Sequence, residues 1–445
     1  MRTIEARETA NRGQLYRILW RWHFYAGLVC IPFVIWLACT GTVYLFRPQI
    51  EAWIDRDLVQ LVRTGQPATA DAVVKAAIAA VPDSKLAAIV LPEHPDQAAR
   101  VLVSAHGSRT RVYVHPDSFA ILKTASEDNS FDRIVAKLHG ELLIGKTGSV
   151  IVELAASWAI VMVLTGLYLW WPRRARGLAG VLWPRLGEGA QRFWRDLHAV
   201  TGVWVSVFAL FLLVSGLPWA FAWGGALKQV RKWAEPTPIS QDWPTSSAGE
   251  HAERMHMDAM TMPLVPQDAS IDLIVQRAEA LNLASPVLLT PPSKGAHEWW
   301  AKSNAQNRPK RDNVALAAST GDVVTRQEFQ DRPLIDRIVG TTTAIHEGQL
   351  FAPLNQVLGV LTALGIITLS ASAFVLWRRR APKGVLGAPP PIPDGKLGVG
   401  LASLIVIMAV LLPVLGCCLV VIAIVERLIL ARWTSAQRWL GLRLT

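Results

Sequence analysis

Histidine is scarce in this 445-residue chain, ten in all, and four of the ten recur at fixed spacings. His23 is followed by Gly27 at +4 and by Thr40-Gly41 at +17 and +18, and His198 is followed by Gly202 and Ser215-Gly216 at the same offsets. His139 precedes Trp170 by 31 residues and Arg173 by 34; His346 stands in the same relation to Trp377 and Arg380. Neutral imidazole suits iron, and axial imidazoles are one way of holding haem iron. A lone histidine at a membrane edge is ordinarily an amphipathic anchor, but two matched pairs shift the weight toward ligation. Gly27 and Gly202 lie one helical turn from their histidines. A missing side chain there leaves room for a flat macrocycle, or equally for close helix packing. Arg21, Arg192 and Arg195 stand where the carboxylates of such a group would meet the surface, and arginine pairs well with carboxylate.

The elements that must position these residues are membrane helices. Five stretches carry no charged residue and approach or exceed the roughly 20 residues a bilayer requires: Ala26–Phe46, Leu154–Trp171, Ala199–Trp223, Phe351–Trp377 and Leu397–Val425. The first follows an Arg-rich start without a small-residue cleavage site and reads as a retained anchor. Residues 1–25, 172–198 and 378–396 carry net charges of +3, +4 and +4, which together equal the +11 of the whole chain. The positive-inside rule makes these short segments cytoplasmic and exports the long ones between them. Membrane topology thus accounts for the basic charge, and nucleic acid is not expected as a partner. Since the apolar core is about 30 Å thick, His23 can pair with His198 on the inner side and His139 with His346 on the outer, but not across.

The expected fold is therefore an α-helical membrane bundle with periplasmic α+β domains, built as two copies of helix–domain–helix plus one C-terminal helix. The segments are 1–46 (first span), 47–149 (exported domain 1), 150–171 (second span), 172–198 (cytoplasmic loop), 199–223 (third span), 224–350 (exported domain 2), 351–377 (fourth span), 378–396 (linker), 397–425 (fifth span) and 426–445 (tail). Five crossings would strand Arg427, Arg432, Arg438 and Arg443 outside, against the charge rule. Either the last span is irregular around Pro413 and Gly416, or the tail is an amphipathic helix on the outer surface. In the exported segments, spacing predicts a helix over Ala70–Ala80, then strands at 86–91, 99–104, 111–114 and 119–123. The second segment repeats the order, with a helix over Ile271–Leu281 and strands at 286–290, 298–302, 313–317 and 323–324.

A helix-plus-strands unit ending in Val112-Tyr113-Val114-His115-Pro116, flanked by spans that begin with His-x-x-x-Gly and close on Trp170-Trp171-Pro172-Arg173-Arg174, resembles the PepSY-associated transmembrane family over roughly residues 15–380. The resemblance implies b-type haem, one or two, with His23, His198, His139 and His346 as iron ligands and Gly27, Gly202, Arg21 and Arg195 around the cofactor. It further implies a bacterial inner-membrane reductase whose outer acceptor is a ferric siderophore. Dinucleotide, ATPase and metalloprotease motifs are absent, so electrons must come from a cytoplasmic donor the sequence does not identify. A reading from another class is a non-enzymatic sensor or peptidase-regulating protein, which needs neither haem nor paired histidines.

Other candidates have plainer readings. His251, Met255, His256, Met257, Met260 and Met262 form a His/Met-rich run suited to Cu(I) or, more simply, a partly apolar loop. Glu153 is an ionisable group near the start of a span, a costly placement. The cysteines Cys30, Cys39, Cys417 and Cys418 all fall in apolar stretches and imply no disulfide framework. Most of the 19 tryptophans fit an aromatic belt at span ends.

Overall fold

The computed structural model describes residues 2–63, 65–66, 68–172, 177–234, 269–293, 295–391 and 398–442, with side chains from Gly13 onward. The run from Met255 to Met262, together with Arg173, Arg174 and Arg443, lies outside the described residues. The chain opens with α1 (Arg2–Leu45), α2 (Arg47–Ile54) and α3 (Ala70–Ala79), then β1 (Lys85–Val90), β2 (Ala99–Ala105), β3 (Ser108–Val114) and β4 (Ile121–Ser126). Next come α4 (Phe131–Glu141), α5 (Gly145–Trp170), α6 (Ala190–Gly216), α7 (Phe221–Ala234) and α8 (Ile271–Ala280). Then β5 (Val287–Thr290), β6 (Glu298–Ser303), β7 (Asn313–Ala317) and β8 (Val323–Gln327) precede α9 (Leu334–His346) and α10 (Leu354–Arg380). Three helices close the chain: α11 (Val399–Leu411), α12 (Pro413–Leu428) and α13 (Thr434–Leu440). It divides into two compact units, a helical one (Met1–Thr42, His139–Pro238, Leu358–Thr445) and a sheet-containing one (Val43–Leu138, Ile239–Val357).

The sheet unit holds one antiparallel sheet of eight strands in the order β4-β3-β2-β1-β5-β6-β7-β8. The sequence leads us to expect two copies of one helix and a small antiparallel sheet, packed side by side. The two four-stranded meanders lie edge to edge in one sheet and share a hydrogen-bonded seam between β1 and β5, where Ile89 pairs with Leu289 and Val90 with Leu288. Joining the edges removes one exposed strand edge from each meander. α3 and α8 cover one face, each started by a hydroxyl cap: Thr69 accepts from the Ala72 N–H and Ser270 from the Leu273 N–H. Alternation along the strands points Val101, Val103, Val112 and Val114 from one meander, and Leu289, Trp299, Val314 and Leu316 from the other, into a core closed by Val74, Ala77, Ile274 and Ala278.

Five helices are long and apolar enough to cross a membrane: Gly13–Leu45, Gly145–Trp170, Ala190–Trp219, Leu354–Arg380 and Pro413–Arg432. With the family match given below, they make this a multi-pass membrane protein. The apolar stretch read as one span over 397–425 is two helices. Pro413 has no N–H to give and pushes Leu412 out of the helical region, to φ −125°, ψ 81°. Gly416 allows a close return, since a Cβ there would lie 2.8 Å from the Ala409 carbonyl oxygen. After this hairpin, the tail docks beside the middle of α1. Tyr25 Oη donates to the Leu440 carbonyl at 2.5 Å, Arg21 to those of Gly441 (2.8 Å) and Pro389 (2.5 Å), and the Leu386 N–H to that of Trp439 (2.9 Å). The tail thus returns to the end of the bundle that holds Arg21, which relieves the conflict with the charge rule.

The third span ends sooner than 223. Pro218 breaks α6, and after a short turn α7 starts at Phe221. Glu153, 2% exposed, accepts from the Ala222 N–H (2.8 Å) and the Trp223 N–H (3.0 Å). A buried carboxylate here satisfies the orphan donors of a helix start, which gives Glu153 a structural role.

Candidate functional site

His23, midway along α1, and His198, in the first half of α6, face one another with ring centroids 6.4 Å apart and planes at 79°. The helices behind them hold the rings from the rear. His23 Nδ1 lies 3.1 Å from Thr165 Oγ1 on α5. The Thr165 hydroxyl already donates to the Val161 carbonyl at 2.8 Å. Its oxygen is therefore an acceptor toward the imidazole, and Nδ1 carries the proton. On α10 the pattern recurs. His198 Nδ1 lies 3.1 Å from the Leu369 carbonyl, which only accepts, and 3.3 Å from Ser372 Oγ, whose hydroxyl donates to Leu369 at 2.9 Å. Both rings thus keep Nε2 as the free lone pair, the form in which imidazole binds a metal.

His139 sits in the last turn of α4, ahead of the second span, and Nδ1 donates to Thr40 Oγ1 at 2.9 Å; the Thr40 hydroxyl goes to the Trp36 carbonyl. Thr40 is 17 residues beyond His23, or about 26 Å along the helix, so α1 meets a histidine near each end of its apolar stretch. His346 ends α9 in the sheet unit. Burial lowers its imidazole below the usual value, against the opposing pull of Glu347. Burial alone would raise the Glu347 carboxyl, but Arg308 and Arg47, 3.4 and 3.8 Å away, hold it below the usual range.

Two glycines lie directly on histidine rings. A Cβ at Gly166 would sit 3.1 Å from His23 Cε1, and one at Gly41 would sit 3.2 Å from His139 Cε1. Gly27 and Gly202 face other neighbours: their Cβ positions meet Met162 Sδ at 3.5 Å and Leu369 Cδ1 at 3.3 Å. The arginines read toward carboxylates are engaged elsewhere. Arg21 holds the tail carbonyls, Arg195 pairs with Asp196 at 2.8 Å and Arg192 with Glu188 at 2.6 Å. The sequence reading missed Thr165, Gly166 and Ser372. A signal was available for the hydroxyls, because Thr165 follows His139 by 26 residues and Ser372 follows His346 by 26.

Among the described residues, no group of three or more His, Cys, Asp or Glu side chains could hold a metal ion. His23 and His198 therefore offer two donors on opposite sides of a gap, fewer than the four a protein-only metal cage needs. Five long apolar helices and an antiparallel sheet unit define a membrane-embedded α-helical protein with an α+β domain. The chain belongs to the family described as the PepSY-associated TM region, which matches residues 20–380, a stretch that includes all four histidines and stops before the C-terminal hairpin. No curated protein matches the sequence.

Proposed function

We propose that this protein is a haem-bearing electron carrier of the bacterial inner membrane that reduces ferric siderophore on the periplasmic side and so releases Fe(II) for uptake. The observation that carries the reading is the His23–His198 pair. Two imidazoles that share a metal at about 2.0–2.1 Å each stand with their centroids roughly 6 Å apart, and here the centroids are 6.4 Å apart with both Nδ1 atoms occupied behind. An iron that takes its other ligands from a macrocycle would need no third protein donor, and His23 and His198 would hold it. A haem bound there would supply one-electron chemistry at the cytoplasmic end. Gly166 lets the His23 ring lie against α5, and the apolar helices would exclude water from the iron.

His139 and His346, paired by the spacing of the sequence, are proposed as ligands of a second haem. The basic segments support a periplasmic position for the two long extramembrane stretches, where the sheet domain would receive the acceptor. Siderophores hold Fe(III) through hard oxygen donors, and reduction lowers the metal's charge and its affinity for them. The test uses right-side-out membrane vesicles loaded with a reductant and bathed in a ferric hydroxamate, with Fe(II) read by a chromogenic chelator. Vesicles carrying the protein should reduce the external chelate, and those carrying His23→Ala should not. Equal rates in both would overturn the proposal.

A further inference from the structure

Thr165 and Ser372 are buried, at 9% and 0% exposure, inside spans where a hydroxyl must find partners within the protein. Each sends its proton to its own helix, and each turns its oxygen to a histidine of a different helix. Behind His198, the Leu369 carbonyl, three residues before Ser372, accepts from the same ring at 3.1 Å. A hydroxyl oxygen thus stands behind each imidazole. Thr40 does the same for His139, with its proton on Trp36.

We propose that Thr165 and Ser372 are positioning residues that fix the Nδ1–H tautomer of His23 and His198, hold both Nε2 lone pairs toward the gap, and keep the ligands neutral. This rests on the haem reading above. The chemistry of the acceptor matters as well as its place. A carboxylate behind a ligating imidazole draws the Nδ1 proton and raises ligand basicity, whereas a hydroxyl and a carbonyl leave it a neutral donor. The site would accordingly favour the reduced iron more than a carboxylate-backed site, which eases entry of the electron from its donor. A hydroxyl that served only helix packing would need no imidazole opposite it, and its loss would leave the ligand field untouched.

The experiment uses full-length protein in detergent, with haem as the probe, and measures haem affinity by titration, the ferric low-spin electron paramagnetic resonance signal and the midpoint potential. Thr165→Val should weaken haem binding by about 10- to 100-fold, the usual effect of losing such a partner, and should shift the low-spin signal and the potential. Thr165→Ser, which restores the oxygen, should recover affinity and signal. Ser372→Ala should cost less, about 10-fold at most, because the Leu369 carbonyl at 3.1 Å still takes the His198 proton. It also keeps the test valid if Thr165→Val folds poorly. Unchanged affinity, signal and potential in both Thr165→Val and Ser372→Ala, with haem lost from His23→Ala, would overturn this inference and leave the haem reading standing. Full haem retention in His23→Ala would overturn both.

Discussion

Replacing Gly166 by alanine should disturb the inner site directly, because the added methyl group meets the His23 ring. The new Cβ would stand 3.1 Å from His23 Cε1. Relaxed carbon contacts lie at about 3.5–4.0 Å, so the ring must retreat by roughly 0.4–0.9 Å. That motion pulls against the hydrogen bond to Thr165, already 3.1 Å long, and moves Nε2 off the line to His198. Overpacking of this size costs about 1–3 kcal/mol, which corresponds to about 5- to 150-fold in haem affinity. Gly27→Ala is the matched control. Its Cβ would meet the flexible end of Met162 at 3.5 Å, an ordinary contact, and the effect should stay within about 0.5 kcal/mol. Haem titration of the two purified variants in detergent makes the comparison. If Gly27→Ala lost affinity and Gly166→Ala did not, the space beside the histidines would lie on α1, and the packing account of His23 would be wrong.

Three other perturbations follow from the same geometry. Glu153→Ala would leave the Ala222 and Trp223 amides without their acceptor at the start of α7. At about 1–3 kcal/mol for each buried orphan, it should lower Tm in detergent, with Glu153→Gln, which keeps one acceptor oxygen, falling in between. In the sheet unit, burial and then Asp132 push the Glu51 carboxyl up to about 7, against the pull of Arg47 and Arg111. A carboxyl raised in the folded state lends stability below its unfolded value that is lost as pH rises through about 7; Glu51→Gln should therefore flatten Tm between pH 5 and 8, and an unaltered slope would show that Glu51 is not the titrating group. A cysteine placed at Ser435 in a cysteine-free background should react with an impermeant reagent from the same side of the membrane as one placed at Gly177, and labelling from opposite sides would disprove the helical hairpin.

Much of the local structure was legible because it depends on near neighbours. The apolar alternation of Val101, Val103, Val112 and Val114 gave the strands, and Thr69 and Ser270 marked the helix starts. The inner histidines could be paired because the offsets to glycine and hydroxyl residues recur, and the structure brings those two rings together. What stayed hidden depends on contacts remote in sequence. The Ile89–Leu289 seam joins segments 200 residues apart, and either meander alone reads as a separate domain. Arg21 was read toward a carboxylate but holds carbonyls at the far end of the chain, which no local pattern encodes. Pro413 and Gly416 pointed to an irregular last span, yet the return of the tail to Tyr25 could be seen only in three dimensions. Gly166 carried a sign that went unread: Thr165-Gly166 repeats the pair Thr40-Gly41, and each glycine lies on a histidine ring.

The central claim is that His23 and His198 hold a haem iron between them, and a visible spectrum with haem content per chain tests it most directly. Purified protein reduced with dithionite should show sharp Soret and α bands of a six-coordinate low-spin b-type haem. His23→Ala and His198→Ala should each lose the haem attributable to the inner pair, because either imidazole alone leaves the iron one ligand short. Wild-type protein without these bands, or variants with undiminished haem and unchanged low-spin bands, would contradict the account and return the two histidines to the role of membrane anchors.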